Sequence, residues 1–283
     1  MKTAARNVMA LLITVGAMTA VAEQLTIKGS NTFGEKLGPR LVEAFKVQNP
    51  DWIVDLESRS SGYGIQALLD GQCDIAASSR ALNEDESRIA RSRRLTPTHH
   101  AIGFYGISVI VHPDNPIRNL ADHQVRDIFS GAIANWSAIG GKPGPIVLHI
   151  STRSAGTYLG FQELALANRP YAASAVEHES YAKIAEAVAG DPAAIGYLAM
   201  SMVDRLPIRA VSINGVPANA ISVADNLYPY ARLLRLLTLK NRETPEAKAF
   251  IRYVRSSAGQ QVVEEQGFVR RFMHRTSFGM ETP

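Results

Sequence analysis

Residues 145–161 read PIVLHISTRSAGTYLGF and contain the unit that decides the fold. The apolar run at 145–150 predicts a strand, and Tyr158 and Phe161 begin the apolar face of a predicted helix. Between strand and helix, residues 151–157 supply four hydroxyl side chains, one arginine and two small residues. A turn needs none of these hydroxyls, whereas an anion site would use all of them.

The same strand-to-helix unit recurs along the chain. Predicted strands lie at 24–29, 52–58, 73–78, 103–112, 145–150, 194–200 and 230–240. Helical patterns follow most of them, and this alternation predicts an α/β fold with mostly parallel strands. No glycine-rich linker divides the chain, so the long apolar runs near 103–112 and 228–239 are the candidates for joining two halves. Thr244 and Pro245 predict the start of a late helix.

The composition is that of an ordinary folded protein, with 46% of the 283 residues hydrophobic and 20% charged. Lys2 and Arg6, an apolar stretch and an Ala-x-Ala motif at 20–22 predict a cleavable export signal over residues 1–22. Without those two basic residues, 28 of the 30 Lys and Arg remain against 26 Asp and Glu. That excess is too small to indicate nucleic-acid binding, so we expect a soluble, exported protein.

Cysteine and histidine give no sign of redox or metal chemistry. Cys73 is the only cysteine, so no internal disulfide can form, and the small apolar run after it predicts a buried structural thiol. The seven histidines have no metal-ligand spacing, and the sequence contains no HExxH, CxxC or Walker-type motif. We expect neither a metal nor a cofactor.

Hydroxyl-rich segments follow four of the predicted strands. They are GSNTFG at 29–34, SRSSGYG at 58–64, ASSR at 77–80 and STRSAGT at 151–157. In an open α/β sheet this edge binds ligands, and the unpaired N–H groups of helix starts can hold an anion there. Each segment alone is also explained by ordinary helix capping. Four of them at one edge favour an anion site.

The chain resembles the PstS-like phosphate-binding proteins of bacterial uptake systems. The segments that carry the resemblance occur in the expected order: GSNTFGEKLGPRLVEAF, SSGYGIQALLDGQCDIAASSR, VRDIFSGAIANWSAIGG, AGTYLGF, DPAAIGYLAMS and AGQQVVEEQGFV. The resemblance implies a type-II periplasmic binding protein with two α/β lobes joined by two crossover strands. It places lobe I at 23–106 and 228–283 and lobe II at 107–227. It further implies a periplasmic, possibly secreted monomer that binds inorganic phosphate and delivers it to a membrane ABC transporter permease.

The family pattern also implies which residues contact phosphate. Matching motif by motif transfers the role to Thr32, Phe33, Ser60, Ser61, Ala155, Gly156 and Thr157. The better-known members carry Asp where this chain has Ser79, and that Asp accepts a proton from the bound phosphate. Ser79 can donate or accept, so the resemblance leaves the selectivity for protonated phosphate open.

The family's arginine is displaced in this chain. Its usual position, six residues before Thr157, is Ser151, and Arg153 follows two residues later, while Ala155 replaces the usual Ser. Either Arg153 reaches the anion from its shifted place or Arg80 takes over the guanidinium role. We expect both to contribute, and a surface or interlobe salt bridge is the alternative for each.

Two other functions are compatible with these segments. A secreted phosphatase would use Ser60, Ser61 or Ser79 as nucleophile, but such a serine needs an activating base, and no His or carboxylate stands beside these loops in the sequence. The second alternative is a binder of another tetrahedral oxyanion. We expect a binding protein rather than an enzyme.

Overall fold

A mixed sheet with parallel ends and an antiparallel middle organises the molecule. The computed structural model describes residues 23–271, so the predicted export signal at 1–22 lies outside the described residues. Within that range the strands are β1 (Gln24–Gly29), β2 (Ile53–Ser58), β3 (Ile75–Ser78), β4 (Pro97–Val111), β5 (Asn119–Leu120), β6 (Val147–Ser151), β7 (Val176–His178), β8 (Ala194–Ala199), β9 (Arg209–Ile213), β10 (Ala231–Leu239) and β11 (Val269–Arg270).

Helices follow most of the strands. They are α1 (Gly38–Gln48), α2 (Ser61–Leu69), α3 (Glu84–Ser92), α4 (Asp122–Phe129), α5 (Gly156–Leu166), α6 (Tyr181–Gly190), α7 (Ala220–Ala224), α8 (Pro245–Arg255) and α9 (Ser257–Glu265). A π-helical segment at Phe33–Leu37 leads into α1, and 3-10 turns lie at Trp136–Ile139 and Met200–Arg205. The late helix begins as predicted, because Thr244 accepts the Ala247 N–H at 3.1 Å.

The strand order divides the molecule into two halves. The sheet runs β2-β1-β3-β10-β4-β8-β6-β7. β1 pairs in parallel with β2 and β3, and β6 pairs in parallel with β7 and β8. We call the elements around β1–β3, with α1–α3 and the returning α8 and α9, the first half. The elements around β6–β8, with α4–α7, form the second half.

The middle of the sheet differs from the prediction of mostly parallel strands. β4 pairs antiparallel with β10 over residues 97–106 and antiparallel with β8 over residues 107–111. β10 is also antiparallel to β3. The chain leaves the first half along β4 and returns along β10, so these long strands run against each other. The prediction therefore holds only for the two ends of the sheet.

Side chains of β10 alternate between two layers of core. Leu236 belongs to the large cluster that includes Phe250 of α8, whereas Leu237 packs with Leu68 of α2. α8 and α2 therefore cover opposite faces of the first half. This leaves the strand ends, rather than the sheet faces, open to the loops that carry the hydroxyls.

Cys73 is half-buried, rather than buried as predicted. Its Sγ lies 3.9 Å from the Gly64 carbonyl oxygen, to which it donates, and burial raises the pKa of the thiol to about 12. A thiol with that pKa forms almost no thiolate at neutral pH, so it is a poor nucleophile.

Two further findings concern membranes and metals. None of the helices in residues 23–271 combines the length and the apolar character needed to cross a bilayer. In the same residues, no three His, Cys, Asp or Glu side chains come together in a way that could hold a metal ion.

The packing of α2 on β1 generates a prediction about Gly64. A Cβ at this position would lie 2.5 Å from both Gly29 Cα and the Lys28 carbonyl oxygen, so Gly64→Ala should force the helix away from the strand. We expect the free energy of unfolding, measured by urea denaturation, to fall by about 1–3 kcal/mol. Gly190→Ala is the control, because nothing lies within 4 Å of its Cβ position. Equal stability of the two variants would contradict this account of the packing.

Candidate functional site

Loops from both halves meet at the carboxyl ends of β1, β2, β3 and β6. The loop after β2 touches the loop after β6, since the Gly62 N–H donates to the Ser154 carbonyl oxygen at 3.2 Å. A Cβ on Gly156 would lie 2.4 Å from Ser61 Oγ and 2.9 Å from Ser79 Cβ. The start of α5 is therefore pressed against two loops of the first half, and only glycine fits there.

Hydroxyl groups line this meeting point. We call Ser30, Thr32, Ser60, Ser61, Ser79 and Thr157 the hydroxyl cluster; all six are buried, with exposures of 0% to 4%. Ser60 Oγ accepts the Tyr63 N–H at 3.1 Å, and Ser61 Oγ accepts the Ser79 N–H at 3.0 Å. Because both serines act as acceptors of backbone N–H groups, each keeps its own proton for donation to a ligand.

Ser79 and Ser30 form a hydroxyl pair, with their Oγ atoms 2.6 Å apart. One hydroxyl of such a pair must donate to the other, and the second then points its proton elsewhere. This pair stands where the family resemblance would place a carboxylate. A hydroxyl pair can present either a proton or a lone pair to a bound oxyanion.

The start of α5 has no side-chain cap, a feature that it shares with α1 and α4 among the described helices. α2, α6 and α8 are each capped by a hydroxyl, from Ser60, Ser180 and Thr244. At α5 the capping position is Ala155, and no side chain among the described residues caps this start. The first turn of α5 lies against Ser61 and Ser79 and carries the partial positive charge of a helix start.

Phe33 is placed differently from its predicted role. Its side chain is fully buried, and its N–H donates to the Ser30 carbonyl oxygen at 3.1 Å. The neighbouring Gly34 N–H donates to the same oxygen at 2.8 Å. The Phe33 N–H that the resemblance assigns to the anion is already used inside its own helical turn.

Tyr181 joins the two halves and was missed by the sequence analysis. Its hydroxyl is hydrogen-bonded to Thr32 Oγ1 of the first half at 2.7 Å and to Thr157 Oγ1 of the second half. Burial raises the pKa of Tyr181 well above its ordinary value, so the phenol is neutral. The only available sequence signal was the Ser180 cap, which marks one more strand-to-helix transition.

Counting protons shows what Tyr181 does to the cluster. Tyr181 has one proton, so it can donate to only one of the two threonines. The other threonine must donate to Tyr181 if both bonds are kept, and its proton is then directed away from a ligand. Tyr181 thus decides which of Thr32 and Thr157 is a donor to an anion.

Glu35 forms a second connection between the halves that was also missed. Its Oε1 accepts from Asn31 Nδ2 at 2.9 Å and from the Tyr181 N–H, at the start of α6, at 3.2 Å. Asn31 Nδ2 also donates to the Glu179 carbonyl oxygen at 2.8 Å. Burial raises the pKa of Glu35, while these hydrogen bonds oppose that rise. A carboxylate of the first half therefore satisfies the helix start of α6 in the second.

Arg80 lies at the edge of the hydroxyl cluster. It is 6% exposed, and its guanidinium forms a bidentate ion pair with Glu86 at 2.7 and 2.8 Å. A third N–H donates to the Ala81 carbonyl oxygen at 2.9 Å, and Nε has no partner among the described residues. Arg80 Nη2 is 3.4 Å from a Cβ placed on Gly62, so the guanidinium borders the loop after β2.

Arg153 is not brought to the cluster, which differs from the expectation that both arginines contribute. Its side chain is 81% exposed and pairs with Glu177 at 3.2 Å. A turn closed by the Ala155 N–H and the Thr152 carbonyl oxygen, at 2.9 Å, places Arg153 at its outer corner. The alternative of a surface salt bridge describes its position.

The serines show no catalytic partner. The hydrogen bonds of Ser60, Ser61 and Ser79 in the described residues run to backbone N–H groups or to Ser30. A nucleophilic serine needs a base within hydrogen-bonding reach. The geometry therefore suits holding an oxyanion better than attacking one.

Comparison with known proteins gives consistent findings. A family model described as a PBP superfamily domain matches residues 14–258. The chain is 30% identical over 246 residues to the phosphate-binding protein PstS of Bacillus subtilis (strain 168), which covers 87% of this chain and 80% of that relative. A phosphate ABC transporter substrate-binding protein from Clostridium perfringens, solved with bound phosphate, is 28% identical with a TM-score of 0.81, covering 88% of this chain and 99% of that chain. An ABC-type phosphate transport receptor from Vibrio cholerae is 25% identical with a TM-score of 0.71, covering 88% and 100%.

The role of Tyr181 in joining the halves is testable without a ligand. Tyr181→Phe removes one neutral hydrogen bond between the halves, to Thr32, which contributes about 0.5–1.5 kcal/mol, and one within the second half, to Thr157, so the halves should separate more readily. We expect a larger radius of gyration than the parent in anion-free buffer, measured by small-angle X-ray scattering. Tyr171→Phe is the matched control, because among residues 23–271 that hydroxyl bonds only to Tyr158 and Tyr197 of the second half. Equal radii for all three proteins would contradict the bridging role.

Proposed function

The chain belongs to the PstS phosphate-binding proteins of the PBP superfamily, and from that premise we propose that it binds inorganic phosphate between its two halves for uptake through an ABC transporter. The observation that carries the proposal is the contact of the uncapped α5 start with the loops after β2 and β3. Donors from both halves converge there, so one tetrahedral ion can hydrogen-bond to both and hold them together.

The donors divide into three kinds. The first turn of α5 offers backbone N–H groups at Gly156 and Thr157. Ser60 and Ser61 offer hydroxyl protons, since their oxygens already accept from the backbone. Arg80 offers charge-assisted donation, because a guanidinium has five N–H groups and three of its bonds go to Glu86 and Ala81. Thr32 and Ser79 complete the set through their hydroxyl partners.

The proposed lobes follow the strand that changes partners. Lobe I comprises residues 23–106 and 228–283, and lobe II comprises 107–227. In support, β4 pairs with β10 up to Gly106 and with β8 from Ile107 onward. Bending at this point and at the matching point of β10 would open the cleft without breaking either core.

Selectivity follows from Ser79. A carboxylate there would repel a fully ionised oxyanion and accept a proton from a protonated one. The Ser30–Ser79 hydroxyl pair can do either, so we propose that the site binds monobasic and dibasic phosphate alike. Discrimination against sulfate should be weaker than in relatives with a carboxylate at this position.

The remaining parts of the proposal concern the setting. We propose that the protein is exported to the periplasm as a monomer, binds phosphate without bond making, and passes it to an inner-membrane permease. The relatives are named as binding proteins, and the serines of the cluster lack a basic partner in the described residues. Highly purified protein should release no phosphate from a phosphate monoester.

Binding itself is tested by calorimetry with phosphate, sulfate, arsenate and molybdate. We expect phosphate to bind the parent. Gly156→Ala should lower the phosphate affinity at least about tenfold, because the added methyl would displace Ser61, and such overpacking costs about 1–3 kcal/mol. Gly190→Ala serves as the control, as its methyl meets no neighbour. Phosphate affinity unchanged by Gly156→Ala would place the anion elsewhere.

The two arginines give a second prediction. Arg153→Gln should bind phosphate within about twofold of the parent, because exposed ion pairs contribute about 0–1 kcal/mol. Arg80→Gln is combined with Glu86→Gln, so that no buried carboxylate is left without its partner. This double variant should lower the affinity for phosphate at least about tenfold, because it removes a charged donor. Glu86→Gln alone is the control. If the Arg153 variant loses binding and the double variant keeps it, Arg80 is not the anion ligand.

A further inference from the structure

A second group of cations lies on the face of the first half that α8 covers. A cavity of about 480 Å³ is lined by Lys248, Arg252, Arg255 and Arg271, and also by Glu243 and His100. We call this cavity the basic pocket. None of its lining residues belongs to the hydroxyl cluster.

The strand register fixes where the basic pocket lies. His100 of β4 is opposite Leu236 of β10. Residues opposite each other in an antiparallel pair project to the same face, so His100 shares the face of Leu236, which packs in the cluster of Phe250. The basic pocket is therefore formed between the sheet and α8, whereas the hydroxyl cluster is formed by loops at the strand ends.

The pocket carries a strong excess of positive charge. Lys248, Arg252 and Arg255 face one carboxylate, Glu243, which gives this side of the pocket an excess of positive charge. Glu243 is itself engaged, because its Oε1 accepts from Thr238 Oγ1 at 2.8 Å and lies 3.5 Å from His100 Nε2. Burial lowers the pKa of His100, and the proximity of Arg255 lowers it further.

The cations of α8 lack the partners that other helices provide. Arg40, Arg88 and Lys183 each form an ion pair with a carboxylate three residues away on their own helix. Within residues 23–271, Lys248, Arg252 and Arg255 form no ion pair.

The spacing on α8 is unfavourable without a ligand. Lys248, Arg252 and Arg255 are four and three residues apart, so they lie on one side of the helix, where like charges destabilise it. Arg252 and Arg255 lie in the last turn and gain from the helix dipole there, but Lys248 does not. An anion in the pocket would offset the repulsion among all three.

The length of the cationic row indicates the kind of anion. Seven residues of helix separate Lys248 from Arg255, which corresponds to about 10 Å along the axis. A single phosphate ion is too small to contact both ends, whereas a chain of phosphoryl groups can. The planar guanidinium of arginine also matches pairs of phosphate oxygens. We propose that the basic pocket binds a compound with two or more phosphoryl groups, such as a condensed phosphate.

The test uses the full chain with its cleft saturated by inorganic phosphate, so that only a second site is observed. Calorimetry with tripolyphosphate should show one further binding event in the parent. Arg252→Gln with Arg255→Gln should weaken that event at least about tenfold, since each substitution removes a charged donor. Arg40→Gln with Arg88→Gln removes the same net charge from exposed positions outside the pocket. This control should bind tripolyphosphate with an affinity within about twofold of the parent.

Several outcomes would overturn the proposal. One is that tripolyphosphate still binds after the α8 substitutions. Another is that the control pair loses as much tripolyphosphate affinity as the α8 pair. A third is that citrate binds as tightly as tripolyphosphate. Binding of the parent to phosphatidylglycerol vesicles, but not to tripolyphosphate, would assign the pocket to a lipid surface instead. The affinity for inorganic phosphate, measured first in each variant, confirms folding and reports separately on the cleft.

Discussion

The site depends on one close approach, that of Gly156 at the start of α5 to Ser61 and Ser79. Only a residue without a side chain permits it, because a Cβ would lie 2.4 Å from Ser61 Oγ. The contact requires the end of β6 in one half to face the ends of β2 and β3 in the other. The long strand β4 makes that possible, since it pairs with β10 up to Gly106 and with β8 of the second half from Ile107 onward.

What each hydroxyl around this contact can offer a ligand depends on where its single proton goes. Ser60 and Ser61 accept backbone N–H groups, so their own protons remain for donation to a ligand. Tyr181 must accept from one of its two threonine partners if it keeps both bonds, and one hydroxyl of the Ser30–Ser79 pair must donate to the other. The side chains that carry these hydroxyls are buried and hydrogen-bonded, so they lose less freedom on binding than exposed side chains would.

Local features of this chain were predictable from sequence and its long-range contacts were not. Thr244 at the start of α8 acts through a neighbour in the chain, and it caps the helix as predicted. Tyr181 was missed because Thr32 lies 149 residues away, and no local pattern indicates such a partner. Arg153 was expected at the anion because the family arginine stands two residues earlier. At a turn, two residues are enough to direct a side chain to solvent.

The position of Arg153 changes the electrostatics expected of the site. Arg80 borders the hydroxyl cluster, and both of its Nη atoms donate to the carboxylate of Glu86. A pair of this kind adds little net charge, so an anion would be stabilised mainly by dipoles of helix starts and hydroxyls. Such groups act over a few ångströms only, whereas a free arginine would attract anions from farther away. In the proposed site, an anion would therefore be held by donors at contact distance rather than attracted from afar by a free arginine.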